Sequence, residues 1–569
     1  MFGPNVCVFT PSMTQAAIQN DVNAIYAQQA TNEMGTARYA LLFEPGTYGS
    51  QSAPLDIPVG YYTEVDGLGQ DPSDVVINGG VTAVGMNGSG ALDIFWRSVS
   101  NLTIHVVPVA PGDCHTSNEM WAVSQAAPMR RVDVKDFTTF MPYCENPNFA
   151  SGGFVADSDL EGGALNGSQQ QFYVRNSNLG TGGWSNYVWN QVFSGDINAP
   201  AQDFGAGAAY TTLAQTPVSR EKPYLYIDGS GNWNMFVPSP QTNSTGTTWA
   251  NGHTPGTSIP LSKFFIATPS DSVSTINNAL SKGLNLLLTP GVYNVNSPIK
   301  VKRTDAVVQG LGFATLTAAS GSTALTTADV AGIDISGLIV DAGPVNSPVL
   351  MQIGTKNGNN GGPHNQPSDP TGLQDVFFRV GGPHVGKATV SLEVNTPYTI
   401  LDDLWIWRAD HGVAGSVGWT VNTANNGLVV NGDNVTATGL FVEHFQQYNV
   451  IWNGNGGEVI FFQNELPYDP PNQAAYEHDG VLGYAAFKVA DNVQTFHGYG
   501  MGSYIFTNVD PSIHVSHAFE VPNTPGVQMN DLLTINLSGP GTIDHVINDT
   551  GGPVSSANED VASQVVSYP

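Results

Sequence analysis

The chain has 569 residues, of which 41% are apolar, only 11% are charged and 64 are glycine. Its 47 acidic residues against 18 basic ones leave a formal charge of −29, which repels nucleic acids and uronate-rich polymers and leaves neutral polymers as partners. No stretch approaches the ~20 apolar residues of a membrane span, and a chain rich in Gly, Asn and Thr but poor in charge has the habit of extracellular β proteins. We therefore expect a secreted, monomeric protein with no nucleic-acid or membrane partner.

In chain order the first element is a helix over Gln15 to Ala30, then LLFEPGTY at Leu41 to Tyr48, then Gly67-Leu68-Gly69. The N-terminus lacks a basic segment followed by an apolar one, as in a mature or trimmed chain. Short alternating runs follow, broken by Gly, Asn and Asp: VVINGG at Val75, LTIHVV at Leu102, RRVDVKDF at Arg130 and QQFYVRNS at Gln170. These read as short strands separated by turns. Cys7, Cys114 and Cys144 have no zinc-type spacing. In an oxidising compartment Cys114 and Cys144 would close a loop, with buried free thiols as the alternative. Asn-x-Ser/Thr triplets fall at Asn87, Asn101, Asn166, Asn243, Asn434, Asn536 and Asn548, a number this composition produces by accident.

From about Thr216 to Pro260 the chain turns rich in Pro, Thr, Ser and Gly, and is read as a linker or a strap between modules. The opening then recurs about 245 residues on: a helix over Ser272 to Lys282, LLLTPGVY at Leu286 to Tyr293, and Gly310-Leu311-Gly312. Three matched elements in one order indicate a duplicated module, over 1–215 and 263–569, with 216–262 between them. The second half carries more short strands, including YTILDDLWIW at Tyr398, VTATGLFVEHF at Val435 and EVIFFQNE at Glu458. The expected fold is all-β: two tandem right-handed parallel β-helices of pectate-lyase type, each capped by its opening helix. A pair of β-sandwiches is the alternative, disfavoured by the scarcity of two-residue hairpin turns.

The densest polar and aromatic constellation lies between Leu401 and Asp479. On successive rungs of a solenoid, distant residues stack on one face, so Asp402, Asp403, Asp410, Glu443 and Glu465 are expected along one groove. Carboxylates so placed raise one another's pKa, which is how a general acid keeps its proton near neutral pH. Trp405, Trp407, Trp419, Trp452 and Tyr468 offer flat faces for sugar rings. Each acid also has a plainer reading: Asp402 and Asp403 fit a bend at which they bond backbone amides, and Glu443 fits a solvated outer face. Glu465, between FFQN and Leu-Pro-Tyr, is a carboxylate pressed among apolar neighbours, either partnered or working. The histidines show no HExxH motif and no i, i+4 pair, so no metal and no cofactor is expected. No P-loop, GxSxG or dinucleotide fingerprint occurs in a fitting context.

The doubled openings, GSQQQFYVRNS at Gly167 and VEHF…FFQNELPY together resemble glycoside hydrolase family 55, the exo-acting β-1,3-glucanases or laminarinases. The resemblance implies tandem β-helices with the active site between them and hydrolysis with inversion. It makes Glu465 the general acid and Glu443 the second acidic residue. It also implies that polar groups of the first module hold the attacking water, for which Gln170 and Ser194 are the candidates, beside Gln171. Asp403, Trp407, Asp410, His444, Trp452, Gln463 and Tyr468 complete the expected substrate contacts. WIWRADHG and the strap PVSREKPYLYIDGSGNWNMFVP depart from typical fungal members toward a bacterial-type subgroup. From the residues alone, Glu443, Asp403 and Asp410 all remain admissible as the group that activates water. Three other readings stay open: a glycosidase on another glucan or a fructan, a polysaccharide lyase, for which Arg408 is the sole base of the segment, and a non-catalytic glycan-binding solenoid.

Overall fold

The computed structural model describes residues 1–84, 91–110, 116–142, 149–185, 188–205, 209–356 and 366–569. The expected Cys114–Cys144 pairing and the triplet at Asn87 lie outside these; Cys7 is a free, half-buried thiol. Asn101, Asn166 and Asn536 are buried and unfit to carry a glycan, whereas Asn243 and Asn434 are exposed.

Each half of the chain winds into a coil of parallel strands. In the first, a fourteen-stranded sheet takes its strands almost in sequence order, from Val6–Phe9 to Ala209–Leu213, beside a four-stranded sheet. In the second, strands alternate between a twelve-stranded and a nine-stranded sheet: Thr371–Val380 and Thr399–Arg408 pair in one, Ala388–Val394 and Ala424–Val430 in the other. Parallel pairing of each strand with the one a full turn later is a β-helix, not a sandwich of hairpins. An antiparallel strand, Ser563–Tyr568, closes the open edge at Val527–Asn536. The inner faces of the two coils form separate apolar cores. Among the described residues no helix is long and apolar enough to cross a membrane.

The repeated opening has the same physical cause in both halves. Helix α1 (Gln15–Gln29) is capped by Thr14, whose hydroxyl accepts from the Ala17 amide, and buries Ile18, Val22 and Ile25. Helix α2 (Val273–Ser281) is capped in the same way by Ser272 and buries Val273, Ile276 and Leu280. In PGTY, Gly46 has φ +150°, and a Cβ there would sit 2.2 Å from Pro11; in PGVY, Gly291 has φ +155°, with Pro269 at 2.4 Å. The Tyr48 hydroxyl bonds the carbonyls of Phe9 and Glu44, and Tyr293 those of Ala267 and Thr289. The motif is thus a pin joining the first two strands of each coil.

The stretch read as a linker or strap is folded, with Thr216–Ser219 pairing Gln241–Ser244, and Tyr224–Ile227, Trp233–Pro238 and Gly256–Pro260 forming a second small antiparallel sheet. It contributes ion pairs to both coils: Glu221 to Arg175 at 2.9 Å, Arg220 to Asp334 at 3.0 Å, and Lys222 to Glu64 and Asp375 at 3.3 Å each. Between the coils lies a third apolar cluster, including Tyr62, Trp96, Phe154 and Tyr173 from the first and Phe377, Trp405, Trp407 and Phe461 from the second. Beside it, Arg130 reaches Asp375 at 2.6 Å and Asp402 at 2.7 Å, and Arg175 holds both oxygens of Asp402 at 2.8 and 2.7 Å. Burial alone would raise the Asp402 carboxyl, but the two guanidinium groups bring it down to about 2.

Candidate active site

The strand Thr399–Arg408 sends Leu404 and Ile406 into the core of its coil, so Trp405 and Trp407 point outward. On the next rung, Thr436–Glu443, Phe441 and Glu443 take the same face in register with Trp405 and Trp407. One rung further, on Gly457–Glu465, Gln463 stands beside Phe441, and the Glu465 carbonyl accepts from the His444 amide at 2.8 Å. Glu443 and Glu465 are therefore stacked neighbours, with backbones one strand spacing, ~4.8 Å, apart. The outer face that carries them is covered by the first coil rather than by water, because Glu443 is only 2% exposed.

Between the coils a cavity of about 670 Å³ is lined by Glu33, Phe95, Gln125, Ser151 and Gln170 from the first and by Trp405, Trp407, Asp410, His411, Glu443, His444, Glu465 and Tyr468 from the second. Glu443 accepts one hydrogen bond on each oxygen, from Gln125 Nε2 at 2.9 Å and from Trp405 Nε1 at 2.6 Å. Ser151 donates to Gln125 Oε1 at 2.9 Å, which continues the chain of polar groups along the cavity wall. Glu465 accepts from the Tyr468 hydroxyl, and Gln463 Nε2 lies 3.5 Å from its other oxygen. Burial, then the charge of Glu465, pushes the Glu443 carboxyl well above the usual carboxylate range. Burial also raises Glu465, against the lowering influence of His444 and of the Tyr468 hydrogen bond. Two such acids one rung apart titrate as a unit.

At one end of the cavity Asp410 accepts from Trp407 Nε1 at 3.2 Å and lies 3.0 Å from His411 Nδ1. Burial would raise Asp410, but the His411 hydrogen bond and the charges of His444 and His411 hold it below the carboxylate range. His411 Nε2 meets Glu33 of the first coil at 2.8 Å. Burial would lower this imidazole; its bonds to Asp410 and Glu33 outweigh that and carry it up to about 10. The indoles of Trp405 and Trp407 stack with centroids 5.1 Å apart, and Phe95 lies 4.6 Å from Trp405. His444, buried, packs edge-on against Tyr468 at 4.5 Å.

The structure thus gathers Glu465, Glu443, Gln170, Trp407, Asp410, His444 and Tyr468 into one cleft, but not the rest of the expected set. Ser194 lies buried under the strap, its hydroxyl between Tyr173 at 2.7 Å and Thr216 at 2.9 Å. Gln171, one residue past Gln170, turns behind the wall and bonds the Ser151 carbonyl. Asp402 belongs to the ion pairs between the coils. Asp403 is the corner residue of its rung at φ +57°, and lies buried against Asp375 and Arg130; burial and the charge of Asp375 push its carboxyl well up. Trp452 points into the core of the second coil, stacked on Phe487 at 6.0 Å. Trp419 packs against Tyr476 and Arg408 rather than in the cleft. Gln463 is fully buried behind the acid pair and supports it. Sequence reasoning missed Gln125, Ser151 and Glu33, which sit in loops with no motif, and it tested His411 only as a metal ligand. Among the described residues no cluster of three or more His, Cys, Asp or Glu side chains is arranged to hold a metal ion.

Twin parallel β-helices with a shared cleft of acids and indoles define a pectate-lyase-like solenoid of the carbohydrate-active kind. Residues 264–465 match the family described as the LAM55 pectate lyase-like domain. The chain is 48% identical over 568 residues, all of its own length and 89% of the relative's, to an exo-β-1,3-glucanase of Streptomyces sp. SirexAA-E. The solved structure of sacteLam55A from that organism superposes with a TM-score of 0.94, covering 100% of this chain and 99% of that one at 48% identity. A glutamate-to-alanine variant of sacteLam55A in complex with glucose superposes with a TM-score of 0.93 over 100% and 98% of the two chains, also at 48% identity. At that identity over its whole length, the chain belongs to glycoside hydrolase family 55.

Proposed function

We propose that this glycoside hydrolase cleaves β-1,3-glucan from the chain end, as its Streptomyces relative is named for doing, and that it inverts the anomeric carbon with Glu465 as general acid. The observation that carries the reading is the stacked pair Glu443–Glu465 beside the Trp405–Trp407 wall. The upward push on Glu443 comes in part from the charge of Glu465 and lapses once Glu465 is protonated; the N–H donors on both its oxygens then make Glu443 the seat of the pair's single negative charge. Glu465, open to the cavity, then keeps the proton, and Tyr468 on one oxygen leaves the other to protonate the departing sugar oxygen. A glutamate whose oxygens are both engaged is a poor nucleophile, which favours attack by water over a covalent glycosyl intermediate. Ser151, Gln125 and Gln170 stand on the opposite wall, where that water would sit, and the bonded series Ser151–Gln125–Glu443 offers its proton a path.

No lysine or arginine lines the cavity among the described residues, which suits a neutral polymer and speaks against a lyase that must hold a uronate. The acidic surface and the lack of a spanning helix among the described residues fit an extracellular monomer without nucleic-acid or membrane partners.

Glu465→Gln should lower turnover of laminarin by ~10²–10⁴-fold or more while binding is kept, because it removes the proton and little volume. An unchanged rate removes Glu465 as the acid. NMR of the first anomer released tests inversion directly: β-glucose as the first product would sink it.

A further inference from the structure

The two coils lie side by side with their rungs in the same order. Along the second, the cleft meets Trp407, then Glu443, then Glu465, one rung apart each. Along the first, Phe95 precedes Gln125, and Ser151 comes later, just ahead of successive strands of one sheet. The cleft therefore runs along the coil axes, and its two ends differ. Toward the late rungs it opens to solvent past Phe149, Ser538 and Asp560, all exposed. Toward the early rungs the coils close on each other, with Tyr62 and Trp96 stacked at 5.3 Å and both fully buried, and Arg379 bonded across to the Tyr62 hydroxyl. The outer side of that early end is crossed by one bond between the coils, Glu33 to His411 at 2.8 Å, with His411 braced by Asp410 at 3.0 Å. Both side chains are part-exposed, at 25% and 42%, so the bridge stands at the cleft's rim rather than inside the interface.

We propose that the Glu33–His411 bridge is the stop that makes the cleft a pocket: it bars the glucan from extending past the terminal sugar and so sets the length of the released product at one. The inference rests on the chain-end glucanase reading above and adds to it the residues that fix where the chain end halts. Two rungs, roughly 10 Å, separate Trp407 from Glu465, a span for one pyranose ring between the stop and the acid. A chain without the bridge gains an exit over the rim. It can slide forward by a sugar, so that the second linkage meets Glu465.

The test is the first-turnover product pattern on end-labelled laminarihexaose. Wild type should release glucose alone. Glu33→Ala/His411→Ala should raise the laminaribiose fraction on the order of tenfold or more, the scale of discrimination lost when one blocking contact goes. Glu33→Gln, which still accepts the His411 N–H, should keep the wild-type pattern. The single variant Glu33→Ala carries the same expectation as the double one and keeps the question open to refutation should the double variant fold poorly. A folded bridge-less variant that still releases glucose alone overturns the inference and leaves the glucanase reading standing, because the bridge is then only a staple between coils. A wild type that leaves laminarihexaose intact overturns both.

Discussion

Glu443 and Glu465 occupy matching places on adjacent rungs, yet their surroundings differ, and the proposed mechanism gives them unlike tasks. Replacing Glu443 by Gln keeps the shape but removes the seat of the pair's charge, and we expect kcat on laminarin to fall by ~10²-fold or more with a smaller change in KM; a rate within threefold of wild type, roughly 0.7 kcal/mol, would argue against the relay. His411 makes a prediction about stability. Free imidazole takes up its proton near 6.5 and the folded one near about 10, so the group's contribution is whole below about pH 6.5 and drains away as pH climbs through about 10. The difference in Tm between wild type and His411→Gln should therefore be largest below pH 6.5 and shrink toward pH 10; a difference independent of pH speaks against a charged His411. At this scale the sequence was readable where a side chain's place follows from its own strand. Glu465, Tyr468, Trp407 and Asp410 came from one dense segment. Gln125, Ser151 and Glu33 did not, because they act across a boundary between coils that local pattern does not encode. Ser194 and Trp452 show the converse: polar or aromatic type alone does not tell which face of a strand looks into the cleft.

Among the elements, the repeat was legible because it is physically obligatory. A tyrosine hydroxyl that ties two carbonyls and a glycine pressed on a proline leave few alternatives, and both halves keep them. Tyr48→Phe and Tyr293→Phe should each cost about 0.5–1.5 kcal/mol in urea unfolding, the range for a lost hydroxyl hydrogen bond, because the Phe9 and Ala267 carbonyls keep the amide donors of Glu44 and Thr289; a cost in one half only would mean that the pins are not equivalent. The corners were less legible. Gly337, Asp375, Asp403, Gly439, Phe461, Gly500 and Asp531 all have φ between +53° and +72° and stack at one corner of the second coil. An aspartate in that column reads from sequence as a groove acid, though its backbone conformation, one that Asp tolerates, is what the rung requires. The strap was half legible: its composition marks a connection, while its ion pairs depend on partners hundreds of residues away. Arg175→Met takes the close guanidinium from Glu221 and one of the two from Asp402, and should cost about 3–5 kcal/mol. Wild-type stability within error would show that buried water replaces the guanidinium.

For the whole molecule, the apolar cluster and ion pairs between the coils make the two halves one structure. Calorimetry should show a single unfolding transition, and Arg175→Met should shift it without splitting it; two separated transitions would mean that the coils melt independently. Composition foresaw the acidic surface. Nine of the 18 basic residues, namely Arg38, Arg97, Arg130, Arg131, Arg175, Arg220, Lys222, Arg379 and Arg408, are buried. Half of the cationic side chains work inside among thirteen buried Asp and Glu, cementing the coils, and the solvent-facing remainder keeps a strong negative excess.

The stacking of the two acids on adjacent rungs has an evolutionary side. Their spacing is set by backbone hydrogen bonding between strands, which every added turn reproduces, so the proposed catalytic pair is insulated from changes in the length of the protein. Inserting one turn in each coil beyond Tyr504 would lengthen the open arm of the cleft by ~4.8 Å and leave the acids, their donors and the closed end untouched. A lineage built on this plan can alter how much polymer it grips without reopening the question of how it cuts.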